Sequence, residues 1–213
     1  MNAELGCIFC DLSLKSSNNP WDQVLDETDS YSVYPTKGAL LPGWQLVVPK
    51  KHVLNSSLLT EQEIFELEAL IQKRAEFAHT IYGKGVVIFE HGPNIPNCKI
   101  GCGVDHAHIH IVPVPFDFED AVIRCEYGDR FKLESYSISE FLKSKKNEGN
   151  HPYWFFTVFG SRNLYHSKTI PNVSQLFRKI IATRINMPDL YDYKKHLFLE
   201  NIEKTIYDFG IIQ

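Results

Sequence analysis

No run of about 18 apolar residues occurs in the 213-residue chain, which excludes a single-helix membrane span. Nor is there an excess of positive charge. Twenty-two Lys and Arg against 26 Asp and Glu leave a formal charge of −4, so no molecule-wide field grips nucleic acid, and any such contact is confined to a local patch. Met1 to Cys10 lacks the basic start and apolar run of a secretory leader, so the sequence predicts a protein retained in the cytoplasm. Cysteine is scarce and odd in number: five residues, two of them in Cys7-Ile8-Phe9-Cys10. That usage fits a reducing compartment and metal binding better than a disulfide framework. Internal repeats and low-complexity tracts are absent, while 44% hydrophobic residues suffice for a sizeable core.

Against this background stands Val104 to Pro115, in which His106, His108 and His110 alternate with Ala107, Ile109 and Ile111. Side chains on a strand switch faces at every residue, so histidines spaced by two share one face and the apolar residues take the other. A solvated face or a hydrogen-bonded core patch would be the bland explanations. Three imidazoles in register beside an apolar run point instead to a site, because a buried imidazole without partners leaves ring nitrogens unsatisfied.

His-Ala-His-Ile-His-Ile-Val resembles the signature of the histidine triad (HIT) superfamily, and Leu46-Val47-Val48-Pro49-Lys50-Lys51-His52 is similar to the strand and turn before that family's long helix. The resemblance covers Cys7 to about Pro115. It implies an α+β fold, with a twisted, mainly antiparallel sheet and a long helix across one face, here followed by an α/β carboxy-terminal extension. Residues 1–116 would form the histidine triad domain with an amino-terminal zinc site, and 117–213 the extension packed on it. By the same resemblance Cys7, Cys10, His52 and His106 would bind one structural Zn²⁺; four such ligands close a tetrahedral site and leave no position for chemistry. His52 can otherwise be read as a surface residue in a basic run. Cys98 and Cys102 form a rival thiol pair in a loop rich in glycine and proline.

The family's chemistry, carried onto this chain, makes His108 the nucleophile that attacks the α-phosphate of a nucleotide conjugate. His108's second ring nitrogen would donate to a backbone carbonyl. His110 would hold a phosphate oxygen or pass a proton to the leaving group. A complete triad leans towards hydrolysis, releasing a nucleoside monophosphate from a dinucleoside polyphosphate, a phosphoramidate or a similar conjugate. A phosphorylase or nucleotidyltransferase, a nucleotide-binding protein without turnover, and a metal-dependent hydrolase are the other readings; the last lacks a carboxylate at a convincing spacing. Glu90, Asn94, Gly101 and Gly103 are expected at the phosphates and sugar, although Gly101-Cys102-Gly103 departs from the family's Gly-Gln-Ser/Thr and leaves backbone N–H groups to make those contacts. The resemblance also implies a homodimer and a nucleotide or dinucleotide ligand.

Elsewhere the pattern is structural. Thr60 and Glu63 form a capping box, apolar residues from Ile64 to Ile81 follow helical spacing, and Gly83 is placed to end that helix, whose charged residues read as a solvated face. Ser30–Pro35, Trp44–Val48 and Gly85–His91 read as strands. In the extension Ser137 and Glu140 cap a short helix, Tyr153–Phe159 is an aromatic strand, and helices are expected over Val173–Ile185 and around Phe198–Phe209. Arg178, Lys179 and Arg184 read as a basic face, solvated or else meeting phosphate, and His166, Ser167 and Lys168 as a candidate lid.

Overall fold

A computed structural model describes residues 6–12, 17–83, 85–101, 103–134, 136–167 and 172–210. Its elements are α1 (Ile8–Leu12), β1 (Asp26–Glu27), β2 (Tyr31–Pro35), β3 (Gln45–Pro49), α2 (Glu61–Tyr82), β4 (Gly85–Gly92), β5 (Ile109–Val114), α3 (Phe118–Ile123), β6 (Phe131–Glu134), α4 (Ile138–Glu148), β7 (Tyr153–Val158), β8 (Leu164–Ser167), α5 (Leu176–Arg184) and α6 (Leu199–Gly210). The strands form one antiparallel sheet in the order β1-β2-β3-β5-β4-β7-β8-β6. The fold is therefore α+β, as the sequence predicts. Strands after residue 117 continue the sheet, because β7 pairs with β4 along Val87 to Gly92.

Helix α2 begins and ends where the sequence places it. The Thr60 hydroxyl accepts from the Glu63 N–H, the Glu63 carboxylate accepts from the Thr60 N–H, and Gly83 closes the last turn at φ +57°. Such an N-terminal box contributes about 1 kcal/mol. Ile64, Leu67, Ile71, Ala75 and Ala78 face the sheet and pack on Ile88, Ile109 and Ile111. Arg74 departs from the expected solvated face: it is buried, its Nε donating to the Gln45 Oε1 and its Nη1 pairing with Asp26 at 3.3 Å. Helix α4 lies on this same side, its Ser137–Glu140 capping box intact.

The opposite side of the sheet holds the second core, where Trp44, Phe89, Val112, Trp154 and Phe156 meet α3 and α5 through Phe118, Phe177 and Ile181. Strand alternation decides membership. Phe89 pairs with His110, so those two side chains share a face, and Ile88 pairs with Ile111 on the other. His166 and Ser167, a candidate lid by sequence, instead lie buried in β8, with His166 against Phe141 and 3.5 Å from Glu134; Lys168 is outside the described residues. Pairing with β7 on one side and β6 on the other leaves them no freedom to move as a lid.

Candidate functional site

Leu46 of β3 and Phe89 of β4 flank His110, which shares the face of Phe89; β5 begins only at Ile109, so His106 and His108 stand in the segment that leads into it, not on the longer strand the sequence predicts. His110 stacks on Phe89 with centroids 4.4 Å apart, and the His108 ring lies 5.0 Å from it. His108 and His110 line one narrow, largely apolar cavity of about 60 Å³ together with Phe9, Tyr34, Leu46 and Arg178.

Each ring has a defined proton. His108 Nδ1 stands 2.8 Å from the His106 carbonyl, which can only accept, so Nδ1 carries hydrogen and Nε2 keeps its lone pair. His110 Nδ1 is 3.0 Å from the Trp44 indole N–H, which can only donate, so Nδ1 is bare and the proton of the neutral ring sits on Nε2. Burial holds both histidines below their ordinary value; for His108 the bond to the His106 carbonyl works against it. One imidazole thus offers an electron pair and its neighbour an N–H. Trp44→Phe keeps an aromatic ring but deletes the indole N–H. Nitrogen NMR of the variant is expected to show His110 as a tautomer mixture; an unchanged tautomer would remove Trp44 from this role.

His106 turns away from the cavity. Its Nε2 donates to the Pro49 carbonyl at 2.8 Å, and its Nδ1 lies 3.3 Å from Cys7 Sγ and 3.7 Å from Cys10 Sγ. His52 Nδ1 is 3.4 Å from Cys10 Sγ, and the four donor atoms all fall within 4.8 Å of one another. This Cys₂His₂ group can hold a metal ion, and among the described residues it is the group of His, Cys, Asp and Glu with that geometry. Cys98 is half-buried in the loop before β5, and Cys102 is outside the described residues.

The expected phosphate and sugar contacts are scattered. Gly103, at φ +77°, lines a second cleft beside the first, with Lys37, Asp105 and Lys194. Gly101 is buried, and its carbonyl accepts from the Ser174 hydroxyl at 2.8 Å. Asn94 exchanges hydrogen bonds with Asn150 and lines neither cleft. Glu90 points to the α2 side, where its carboxylate accepts from the Ser56 N–H and hydroxyl and from the Tyr153 hydroxyl. Alternation explains this, since Phe89 shares the face of His110 and the next residue cannot.

Burial pushes the Glu90 carboxyl up from 4.5 to about 7, against the three hydrogen bonds that favour its charge. A group with a raised folded-state pKa binds more proton folded than unfolded, so its contribution is full below about pH 4.5 and is lost as pH rises to about 7. Glu90→Gln should flatten that slope by about 3 kcal/mol in urea titrations between these pH values. An equally steep slope in the variant would assign the dependence elsewhere.

Two further residues stand beside the triad: His91, which sequence pattern did not single out, and Arg178, which it placed on a basic face. His91 sits between His110 and Phe177, its ring 6.4 Å and 4.8 Å from them, and burial holds it down to about 3. Arg178 is the second: instead of standing on a solvated face it is buried, with Nε donating to the Tyr191 carbonyl and Nη2 to the Gly38 carbonyl. Its guanidinium carbon lies 4.6 Å from the centroid of Trp44. Lys179 lies over the Tyr191 ring and Arg184 pairs with Asp120.

No protein-family model and no curated protein matches the chain. Among solved structures, a DUF4931 family protein from Bacillus cereus superposes with a TM-score of 0.50 at 14% identity, over 79% of this chain and 99% of that one. The α+β fold with its antiparallel sheet is what the two chains share. A histidine triad nucleotide-binding protein from Sulfolobus tokodaii matches 67% of this chain and 90% of its own at 20% identity and a TM-score of 0.42. A GalT-like protein from Arabidopsis thaliana matches 80% and 84% at 10% identity and 0.47. The likeness is one of fold alone, and the chemistry rests on the chain's own side chains. No helix among the described residues is long and apolar enough to cross a membrane.

Proposed function

We propose that the chain is a nucleotidyl hydrolase of the histidine triad superfamily, cleaving a nucleotide conjugate at its α-phosphate through a nucleotidyl-His108 intermediate. The tautomer of His108 supports this most directly: the His106 carbonyl holds its Nδ1–H and leaves the Nε2 lone pair on a ring that lines the cavity. Nε2 forms a bond to phosphorus while the bond to the leaving group breaks, and the positive charge that develops on the ring is stabilised by the accepting carbonyl. His110 donates its Nε2–H to a non-bridging oxygen. Water then forms a bond to phosphorus, the P–N bond breaks, a proton passes to solvent, and neutral His108 is restored. The base is assigned to the apolar walls around Phe9, Tyr34 and Leu46.

Zn²⁺ fits the Cys7, Cys10, His52 and His106 group, because tetrahedral zinc separates its sulfur and nitrogen ligands by about 3.5 Å, and three of the sulfur–nitrogen pairs here stand 3.3 to 3.7 Å apart with all four donors within 4.8 Å. Bound there, it would be structural. Cys7 and Cys10 bracket Phe9, whose ring lies 5.7 Å from that of His108, so the ligands also fix a wall of the cavity. Glu90 and Asn94 are given no substrate contact in this reading; Gly101 and Gly103 shape the loop. A cytoplasmic homodimer remains part of the proposal, using a surface other than the β4 edge, which β7 occupies. The test is release of nucleoside monophosphate from dinucleoside polyphosphates and phosphoramidates, in the presence and absence of inorganic phosphate. A nucleoside diphosphate made only with phosphate present would convert the hydrolase into a phosphorylase.

A further inference from the structure

Resting on that reading, we propose that the leaving group is a phosphate chain held as an anion by Lys37 and Lys194, while Arg178 braces the phosphoryl group under attack. Two of these three cations, Arg178 and Lys194, come from the carboxy-terminal residues.

Three observations carry this. First, His110 has no proton to give away. Its Nδ1 accepts from Trp44, so its single hydrogen is on Nε2, and losing that would leave an imidazolate. An amine must take up a proton to depart from phosphorus, whereas a phosphate chain departs as an anion and needs charge around it instead. Second, Arg178 lines the same cavity as His108 and His110, and two backbone carbonyls and the face of Trp44 aim its guanidinium. Trp44 therefore orients both the imidazole that donates to phosphate and the cation beside it.

Third, the two clefts adjoin. Ile8, Lys37, Val104 and Tyr193 line both, so Lys37 stands between the His108 cavity and the cleft at Gly103. There Lys194 covers the loop: its Nζ lies 2.8 Å from where a Cβ on Gly103 would stand. Two carboxylates also line the clefts, and both are engaged within their own loops, Asp22 by Ser17 and Asn19 and Asp105 by the Asn97 N–H.

The test is calorimetric binding of AMP and ATP to His108→Asn protein, which cannot turn either over by this route. ATP is expected to bind at least about tenfold more tightly than AMP; Lys37→Gln and Lys194→Gln should each remove about tenfold from ATP and under about twofold from AMP. Lys194 is exposed, so its variant tests the cleft without a folding penalty. Arg178→Lys, with its melting temperature measured, should weaken both nucleotides. Equal losses for AMP and ATP in the lysine variants, or none, would overturn the anion cleft. So would a wild-type protein that cleaves an adenosine phosphoramidate faster than a dinucleoside tetraphosphate. The predicted binding pattern in a protein that cleaves neither would uphold the cleft and remove the hydrolase reading alone.

Discussion

Replacing His108 by Asn is expected to cut release of nucleoside monophosphate by at least about a thousandfold, equivalent to ~4 kcal/mol of barrier. The loss should fall on kcat, with KM within about threefold, because Asn can still occupy the ring's place and fill its side of the cavity. An amide nitrogen has no lone pair to offer phosphorus, so nothing replaces the attacking Nε2. His110→Asn should cost less, about tenfold to a hundredfold, since it removes one hydrogen bond to a developing charge and leaves the nucleophile in place. If both variants lost the same modest fraction, catalysis by His108 would have to give way to simple orientation.

The second large effect concerns the metal group. Protein purified without chelator is expected to carry about one zinc per chain, and Cys10→Ser to lower the melting temperature by about 5–10 °C, equivalent to ~2–4 kcal/mol at this length. The functional consequence follows from position. Helix α1 is held to the sheet through Cys7 and Cys10, and its Ile8, Phe9 and Leu12 line the cavity. Losing the ligand set frees that wall, so KM should rise about tenfold while kcat changes far less. Metal-free protein with full stability and an unchanged KM would reject a structural zinc.

Strand period and cap chemistry made much of the fold legible. The alternation of histidines with Ala107, Ile109 and Ile111 puts those three apolar residues into one core, as in the structure, although the strand itself starts only at Ile109, and Thr60, Glu63 and Gly83 mark the ends of α2. Face assignment between strands was not legible. Glu90 and His91 are neighbours, and only the pairing of Phe89 with His110 shows which of them joins the triad. A single sequence carries no register. Arg178 was hidden for another reason: a helix with one wet face was the natural reading of α5, but the chain from 190 to 193 folds back over it, and the Tyr191 carbonyl and Trp44 take up the guanidinium. Covering by a distant segment leaves no trace in helical periodicity.

Intact-protein mass after millisecond mixing with a dinucleoside tetraphosphate tests the central claim most directly. Wild-type chain should gain the mass of one nucleotidyl group, retained in alkali, lost in acid and mapped by peptide sequencing to His108. Turnover that proceeds with no such adduct, or with the nucleotidyl group on another side chain, would contradict an imidazole aimed at phosphorus.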